Sequence, residues 1–194
     1  MKKDIILAGV GGQGILSIAA IIGHAAVNSN LYLKQAEVHG MSQRGGDVQS
    51  NLRLSDRPIA SDLIPHGQAD MILSVEPMES LRYLPFLHQN GWLITNTKPF
   101  INIPDYPDPE KIMSEIRILK NHIAIDADPL ASELGTSKAS NIVMLGAASD
   151  FLGIPYAKIQ DAIRFFFGKK SEQLVELNLK ALDKGKEMAK QYIQ

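Results

Sequence analysis

The sequence of 194 residues contains no cysteine. This absence excludes disulfide bonds, cysteine nucleophiles and iron–sulfur clusters held by cysteines of this chain. Long apolar runs are also missing, since every unbroken apolar stretch is far shorter than the roughly 20 residues that a membrane-spanning helix needs. Lysine and arginine form no block and the formal net charge is −1, so the charge pattern gives no indication of a nucleic-acid partner.

Internal repeats, low-complexity segments and linker-like stretches are absent as well. We therefore expect a single domain over residues 1–194, which is long enough to bury a substantial core. The N-terminal stretch MKKDIILAG reaches a glycine-rich turn too early for a secretory signal peptide, so we expect a cytoplasmic protein.

Short apolar runs alternate with amphipathic segments, and this alternation predicts an α/β fold. The pattern favours a Rossmann-like, three-layer domain with a mostly parallel sheet. The predicted strands are Asp4–Ala8, Leu31–Ala36, Val48–Leu54, Met71–Val75, Trp92–Asn96 and His122–Asp126. The predicted helices before the C-terminal region are Gly12–Asn28, Asp108–Leu119, Ala139–Leu152 and Tyr156–Phe167.

The C-terminal stretch KKSEQLVELNLKALDKGKEMAKQYIQ has a different character. Its apolar residues fall close to helical spacing with lysines and glutamates between them, which predicts a long surface helix with one apolar stripe. Two roles are open for that stripe: it covers the edge of the domain's own sheet, or it docks on a partner. The stripe consists of Leu174, Leu177, Ala181, Met188 and Tyr192.

The stretch GVGGQG follows the first predicted strand and precedes a helix, as the G-x-G-x-x-G motif requires. In that motif Gly9 permits a tight turn, Gly11 lets the backbone approach an anion, and Gly14 allows close contact between helix and strand. Gly12 is an additional glycine that the motif does not need. Exposed N–H groups at a helix start favour a negative ligand. The alternative is that the glycines only form a tight turn between strand and helix.

Glu37 lies near the position, about 20 residues after the glycine turn, where dinucleotide-binding folds place an acid for the ribose hydroxyls. It opens the stretch EVHGMSQRGGDVQSN, which we expect to be a polar loop. A compact βαβ unit would instead enter its next helix there. This context argues against a nicotinamide cofactor, and a stand-alone NAD(P)-dependent oxidoreductase remains the alternative function.

Three stretches together resemble a known family: GVGGQG, EVHGMSQRGGDVQSNLRLS and SNIVMLGAAS. The chain resembles the γ-type domain of the 2-oxoacid:ferredoxin oxidoreductases from about Asp4 to Phe167. Within that family, the stretch EVHGMSQRGG is most similar to the small (β) subunits of the indolepyruvate enzymes.

The resemblance implies a subunit of an oxidoreductase of anaerobic metabolism. Such enzymes oxidatively decarboxylate a 2-oxoacid, here an aryl 2-oxoacid, join the acyl group to coenzyme A and pass electrons to ferredoxin. Thiamine diphosphate and iron–sulfur clusters then lie on a larger partner subunit, through which ferredoxin is reached. The sequence agrees, since it has no cysteine and no G-D-G…N stretch of the thiamine-diphosphate type. The resemblance therefore implies a chain that is inactive alone.

The resemblance also places this domain near the path of coenzyme A. The glycine-rich helix start suits a pyrophosphate, and Arg44 offers a bidentate phosphate contact. Arg44 in a structural ion pair, and a non-catalytic assembly role for the whole chain, are the alternatives. The expected cofactor-binding residues are Gly9, Gly11, Gly12, Gly14, Arg44, Gly45 and Gly46.

The remaining polar candidates carry weaker expectations, and no catalytic residue is assigned to this chain. His39 is of the residue type suited to acid–base chemistry near neutral pH, although packing or hydrogen bonding is the ordinary role of a lone histidine. Ser42 and Gln43 are further polar contacts, and Asn141 is expected to cap a helix or turn. Residues 39–46 are expected to form a mobile loop outside the core. The other histidines, His24, His66, His88 and His122, show no spacing of a metal site.

Overall fold

The computed structural model describes residues 1–40 and 45–193. All six predicted strands are present, and they form one sheet in the order β2-β3-β1-β4-β5-β6. The strands are longer than predicted at most ends, because the polar flanking residues also pair. Their bounds are β1 Lys2–Val10, β2 Tyr32–His39, β3 Asp47–Ser55, β4 Ala69–Ser74, β5 Leu87–Asn96 and β6 His122–Ile125.

The sheet is mostly parallel, as the sequence predicts, with β3 as its antiparallel member. β3 pairs with β2 from Tyr32↔Ser55 to His39↔Val48 and inserts between β2 and β1. The prediction of a polar loop from Glu37 onward is therefore wrong at both ends, since β2 continues through Glu37 to His39 and β3 begins at Asp47. The backbone N–H and C=O groups of these residues form hydrogen bonds across the strands. The polar side chains alone do not indicate this pairing.

Seven α-helices occur in the described residues, five of them predicted. The two that the pattern missed have six and seven residues, too short for helical periodicity to show. The first helix begins later than predicted because residues 11–14 form a turn. The helices are α1 Ile15–Val27, α2 Pro77–Arg82, α3 Pro109–Arg117, α4 Ala127–Glu133, α5 Ser140–Ala148, α6 Tyr156–Gly168 and α7 Glu172–Ala189.

The helices lie in two layers on either side of the sheet. Ile5 and Leu7 of β1 pack in the core on the side of α1 and α4–α7, whereas Ile6 and Ala8 pack on the opposite side. Successive side chains of a strand point to opposite faces, so an apolar run predicts a strand covered on both faces. On that opposite side, residues of α3 pack against Leu93 of β5, with partly buried residues of α2 beside them. No helix in the described residues has the length and apolarity to cross a bilayer.

The apolar stripe of the C-terminal helix α7 is used inside the chain. Its buried residues Ala181, Leu182 and Ala189 belong to the main core, and α7 packs chiefly against α5. Beyond α7, the hydroxyl of Tyr192 donates to the carbonyl oxygen of Ala124 on the edge strand β6. The helix therefore covers α5 first and reaches the sheet edge only at its end.

A buried ion pair fixes the segment that follows β3. Asp4 of β1 is fully buried and accepts from Arg53 of β3 in a bidentate arrangement, with Nε–Oδ1 and Nη2–Oδ2 distances of 2.8 and 3.1 Å. The third guanidinium nitrogen donates to the carbonyl oxygens of Ser61 and Leu63 at 3.0 and 2.9 Å. Arg53 thus joins two strands to the loop beyond them.

Candidate functional site

The glycine-rich turn lies between the end of β1 and the start of α1. Gln13 closes it twice: its backbone N–H donates to the carbonyl oxygen of Val10 at 3.1 Å, and its side-chain Oε1 accepts from the N–H of Val10 at 2.8 Å. The turn is therefore fixed by bonds of the chain itself.

At two of the glycines, neighbouring atoms lie too close for a side chain. A Cβ on Gly9 would lie 2.5 Å from Cγ2 of Val75 and 2.9 Å from Cδ1 of Ile15, so Gly9 allows β1, β4 and α1 to meet and does not itself form the turn. Gly14 has a φ of +85°, and a Cβ there would lie 3.2 Å from Cγ of Asn141. The amide of Asn141 donates to the Gly14 carbonyl oxygen at 3.3 Å. Asn141 thus clamps the turn to α5, a role different from the capping role predicted for it.

The second glycine stretch lies against the first. The N–H of Gly11 donates to the carbonyl oxygen of Gly46 at 2.8 Å, and the N–H of Gly45 donates to that of Gly11 at 3.5 Å. Asn102 donates through its side-chain amide to the carbonyl oxygen of Gly45. The structure therefore brings the two predicted glycine stretches together. The N–H of Gly11 is used within the chain, which differs from its expected approach to an anion.

Three of the predicted contacts cannot be placed in this arrangement. Ser42, Gln43 and Arg44 lie outside the described residues. The expectation for the loop over residues 39–46 falls on the same segment, apart from its two ends.

A cavity of about 250 Å³ lies beside the glycine turn. Its walls are glycine backbone and apolar side chains, and among the described lining residues His39 is the titratable one. The lining residues are Val10, Gly11, Gly12, Gly14, Ile15, Leu16, His39 and Val48.

His39 is paired with Glu37 on the same strand. Residues two apart in a strand share a face, and Nε2 of His39 contacts Oε1 of Glu37 in an ion-pair geometry. The other carboxylate oxygen accepts from Nε2 of Gln35 at 3.4 Å, and that amide also donates to the Ser50 hydroxyl at 3.1 Å. Glu37 is therefore engaged by its neighbours. It also stands on a strand that β3 separates from β1, whereas a dinucleotide fold needs these strands adjacent.

A second cavity, of about 280 Å³, opens on the other side of the turn at the carboxyl ends of β4 and β5. Asn96 is buried there; its Nδ2 donates to Oδ2 of Asp128 at 3.0 Å, and its Oδ1 accepts from the N–H of Ala127 at 3.1 Å. Lys98 lies 3.4 Å from Oδ1 of Asp128. Sequence reasoning missed these residues, although polar residues that directly follow buried parallel strands are a usable signal.

Glu76, which follows β4, is a buried carboxylate near this cavity that accepts three hydrogen bonds. Its Oε2 caps α2 by accepting from the N–H of Glu79 at 2.8 Å, and its Oε1 accepts from the N–H of Phe100 at 3.2 Å and from the Tyr106 hydroxyl. Burial and this hydrogen bond raise the pKa of the Tyr106 phenol. One fully buried side chain thus holds the segment that borders the second glycine stretch.

We expect Glu76→Gln to lower the free energy of unfolding by about 2 kcal/mol, since hydrogen bonds to a charged acceptor contribute about 1.5–3 kcal/mol each and one amide group would face N–H donors. Urea unfolding measures the change. The exposed Glu115→Gln is the matched control, and equal stability of both variants would contradict the role described for Glu76.

Comparison with known proteins identifies relatives over nearly the whole chain. The family described as pyruvate ferredoxin/flavodoxin oxidoreductase matches residues 4–188. The chain is 37% identical to a protein of Archaeoglobus fulgidus named indolepyruvate oxidoreductase subunit IorB, over 95% of this chain and 94% of the relative.

Solved structures agree with the fold. A keto/oxoacid ferredoxin oxidoreductase gamma subunit from Geobacter sulfurreducens is 25% identical with a TM-score of 0.71, covering 97% of this chain and 99% of that one. A 2-oxoglutarate:ferredoxin oxidoreductase from Magnetococcus marinus, with 2-oxoglutarate, coenzyme A and succinyl-CoA bound, has a TM-score of 0.78 at 23% identity. That match covers 98% of this chain but 31% of the other, so the same fold also occurs within a longer polypeptide.

Proposed function

This chain belongs to the pyruvate ferredoxin/flavodoxin oxidoreductase family, and we propose that it is the small subunit of an indolepyruvate:ferredoxin oxidoreductase in the cytoplasm. It acts as a single domain over residues 1–194. The observation that carries the proposal is the near full-length likeness to a subunit named for that enzyme. The substrate class is aryl 2-oxoacids, which are decarboxylated oxidatively to acyl-CoA.

The redox and thiamine chemistry belongs to a larger partner subunit. Iron–sulfur clusters do not fit this chain because it has no cysteine to hold them, and the sequence has no stretch of the thiamine-diphosphate type. The partner supplies those groups and passes the electrons to ferredoxin. This chain contributes binding surface to the assembled enzyme.

We further propose that coenzyme A contacts the joined glycine stretches. Gly11, Gly12 and Gly14 line one cavity, and Gly11 joins them to Gly45 and Gly46 through backbone hydrogen bonds. Gly9 and Arg44 belong to the same two stretches of sequence. The bonds between Gly11 and the second stretch support a single surface rather than two separate loops. A stand-alone NAD(P)-dependent enzyme is disfavoured by the engaged carboxylate of Glu37 and by the strand order. A purely assembling subunit would leave the KM for coenzyme A unchanged by substitutions in these two stretches.

We expect the purified chain alone to oxidise no indolepyruvate and to show no iron–sulfur absorbance, because it has no cysteine. Anaerobic assay with an electron acceptor, with and without the larger subunit, measures both. Turnover should appear when the two chains are combined. Turnover by this chain alone would overturn the proposed function.

A further inference from the structure

We propose that His39, oriented by Glu37, accepts the proton of a thiol that enters the cavity beside the glycine turn. The thiol is that of a pantetheine-type arm, so the inference rests on the proposed contact with coenzyme A. The inference says which end of coenzyme A enters this cavity. It also gives a side chain of this subunit a catalytic role.

The size and lining of the cavity select the thiol arm. A volume of about 250 Å³ is enough for a slender chain. Val10, Ile15, Leu16 and Val48 make its walls apolar. Burial of a doubly charged pyrophosphate in such walls is costly unless its charges are paired, and the N–H of Gly11 is already bonded to Gly46. The thiol arm carries no charge, so it suits these walls better than the pyrophosphate does.

The imidazole of His39 is the acid–base group of this cavity. Because Nε2 contacts Glu37, the nitrogen left for a ligand is Nδ1. The carboxylate of Glu37 is itself placed by Gln35, and that amide is also bonded to Ser50 of β3. This is the arrangement of a base with an orienting carboxylate, which fixes the ring.

Two acidic residues of the described chain lie near His39 on the paired strands β2 and β3. Glu37 lies beside it on β2, and Asp47 on β3 is engaged by the Tyr83 hydroxyl at 3.2 Å. Tyr83 belongs to the core on the face of the sheet away from α1. The residues of the glycine turn and of α1 that line the cavity carry no charged side chain. Among the described residues, Glu37 is the charged group in contact with the imidazole of His39.

The chemical step is a single proton transfer. The S–H bond of the thiol breaks, an N–H bond forms at Nδ1 of His39, and the electron pair stays on sulfur as a thiolate. The thiolate is the nucleophilic form of a thiol, and a free thiol with a pKa near 8.5 is mostly protonated at neutral pH, roughly a few per cent thiolate. Glu37 stabilises the imidazolium that results.

The experiment uses the complex of this chain with its larger subunit. His39→Gln keeps a polar side chain but cannot accept a proton, and we expect kcat/KM for coenzyme A to fall by about 100-fold, in the range of general base catalysis. Pantetheine, which has the thiol arm without the nucleotide, should show the same loss. The acid limb of the pH profile of kcat/KM for the thiol should disappear. The positioning variant Glu37→Gln should give a smaller loss, about 10-fold and below the range for removal of the base itself, because the imidazole remains.

The control is His24→Gln, because His24 stacks on Phe165 at the other end of α1 and should leave both thiols and the pH profile unchanged. A loss with coenzyme A that vanishes with pantetheine would place His39 at the nucleotide end and overturn the inference, and so would an unchanged pH profile. A wild-type complex that oxidises indolepyruvate no faster than the larger subunit alone would instead overturn the proposed function. The wild-type measurement therefore tests the proposed function first, and the variants then test the role of His39.

Discussion

Gly185→Ala should lower the free energy of unfolding by about 3 kcal/mol, at the upper end of the usual cost of overpacking. Gly185 of α7 faces α5 so closely that a Cβ would lie 2.7 Å from the carbonyl carbon of Val143 and 3.0 Å from the backbone nitrogen of Ala147. Backbone atoms cannot turn aside as a side-chain tip can, so the two helices must separate. Urea unfolding of the chain measures the loss.

Gly146→Ala tests the other side of the same crossing, since a Cβ there would lie 2.9 Å from the carbonyl carbon of Leu182. The two substitutions act on the same crossing of α5 and α7, so their losses should not add. Gly168→Ala is the matched control, because the nearest atom to its Cβ would be 4.0 Å away, and alanine favours a helix over glycine. If Gly185→Ala and Gly168→Ala unfold at the same urea concentration, α5 and α7 do not cross as described.

Arg53→Ala should cost about 3 kcal/mol of unfolding free energy, at the lower end of the about 3–5 kcal/mol typical for breaking a buried ion pair. The substitution leaves the fully buried carboxylate of Asp4 with only Lys2, whose amino group lies 2.7 Å from it. It also removes the donors to Ser61 and Leu63. Thermal and urea unfolding should both register the loss.

Two comparison variants separate the effect of the buried ion pair from the effect of losing an arginine side chain. Arg57→Ala removes an exposed arginine a few residues along and should change stability little. The double variant Asp4→Asn with Arg53→Ala should recover part of the loss, because no buried charge is then left unpaired. A double variant as unstable as Arg53→Ala alone would show that the carbonyl contacts, and not the ion pair, carry the stabilisation.

The sequence predicts strands and long helices well where the element buries one face or is buried on all sides. Ile5 to Ala8 form an unbroken apolar run, and such a run indicates a strand covered on both faces. The hairpin of β2 and β3 was hidden because Glu37, His39 and Asp47 are polar, yet all belong to paired strands. The insertion of β3 between β2 and β1 depends on pairing across the sheet, which local pattern does not encode.

For the site, the motif located the glycine turn but not its partners. Asn141 reaches Gly14 from 127 residues away, and no spacing rule connects positions so distant. Glu76 and Asn96 are more accessible to prediction, since each ends or follows a buried strand, and the carboxyl ends of parallel strands are where such folds bind ligands. The pairing of Gly11 with Gly46 is a property of the strand register, which becomes visible only once β3 is placed.

The glycine turn is a wall shared by two cavities, with Gly12 and Gly14 on one side and Gln13 on the other. A ligand that displaces this wall from one cavity changes the free energy of binding in the other. Thermodynamic linkage makes the effect reciprocal: the factor by which the first ligand alters the affinity for the second equals the factor by which the second alters the affinity for the first. A ligand that moved the turn from one cavity would therefore change the affinity of the other, and titrating each cavity with and without a ligand in the other measures that effect.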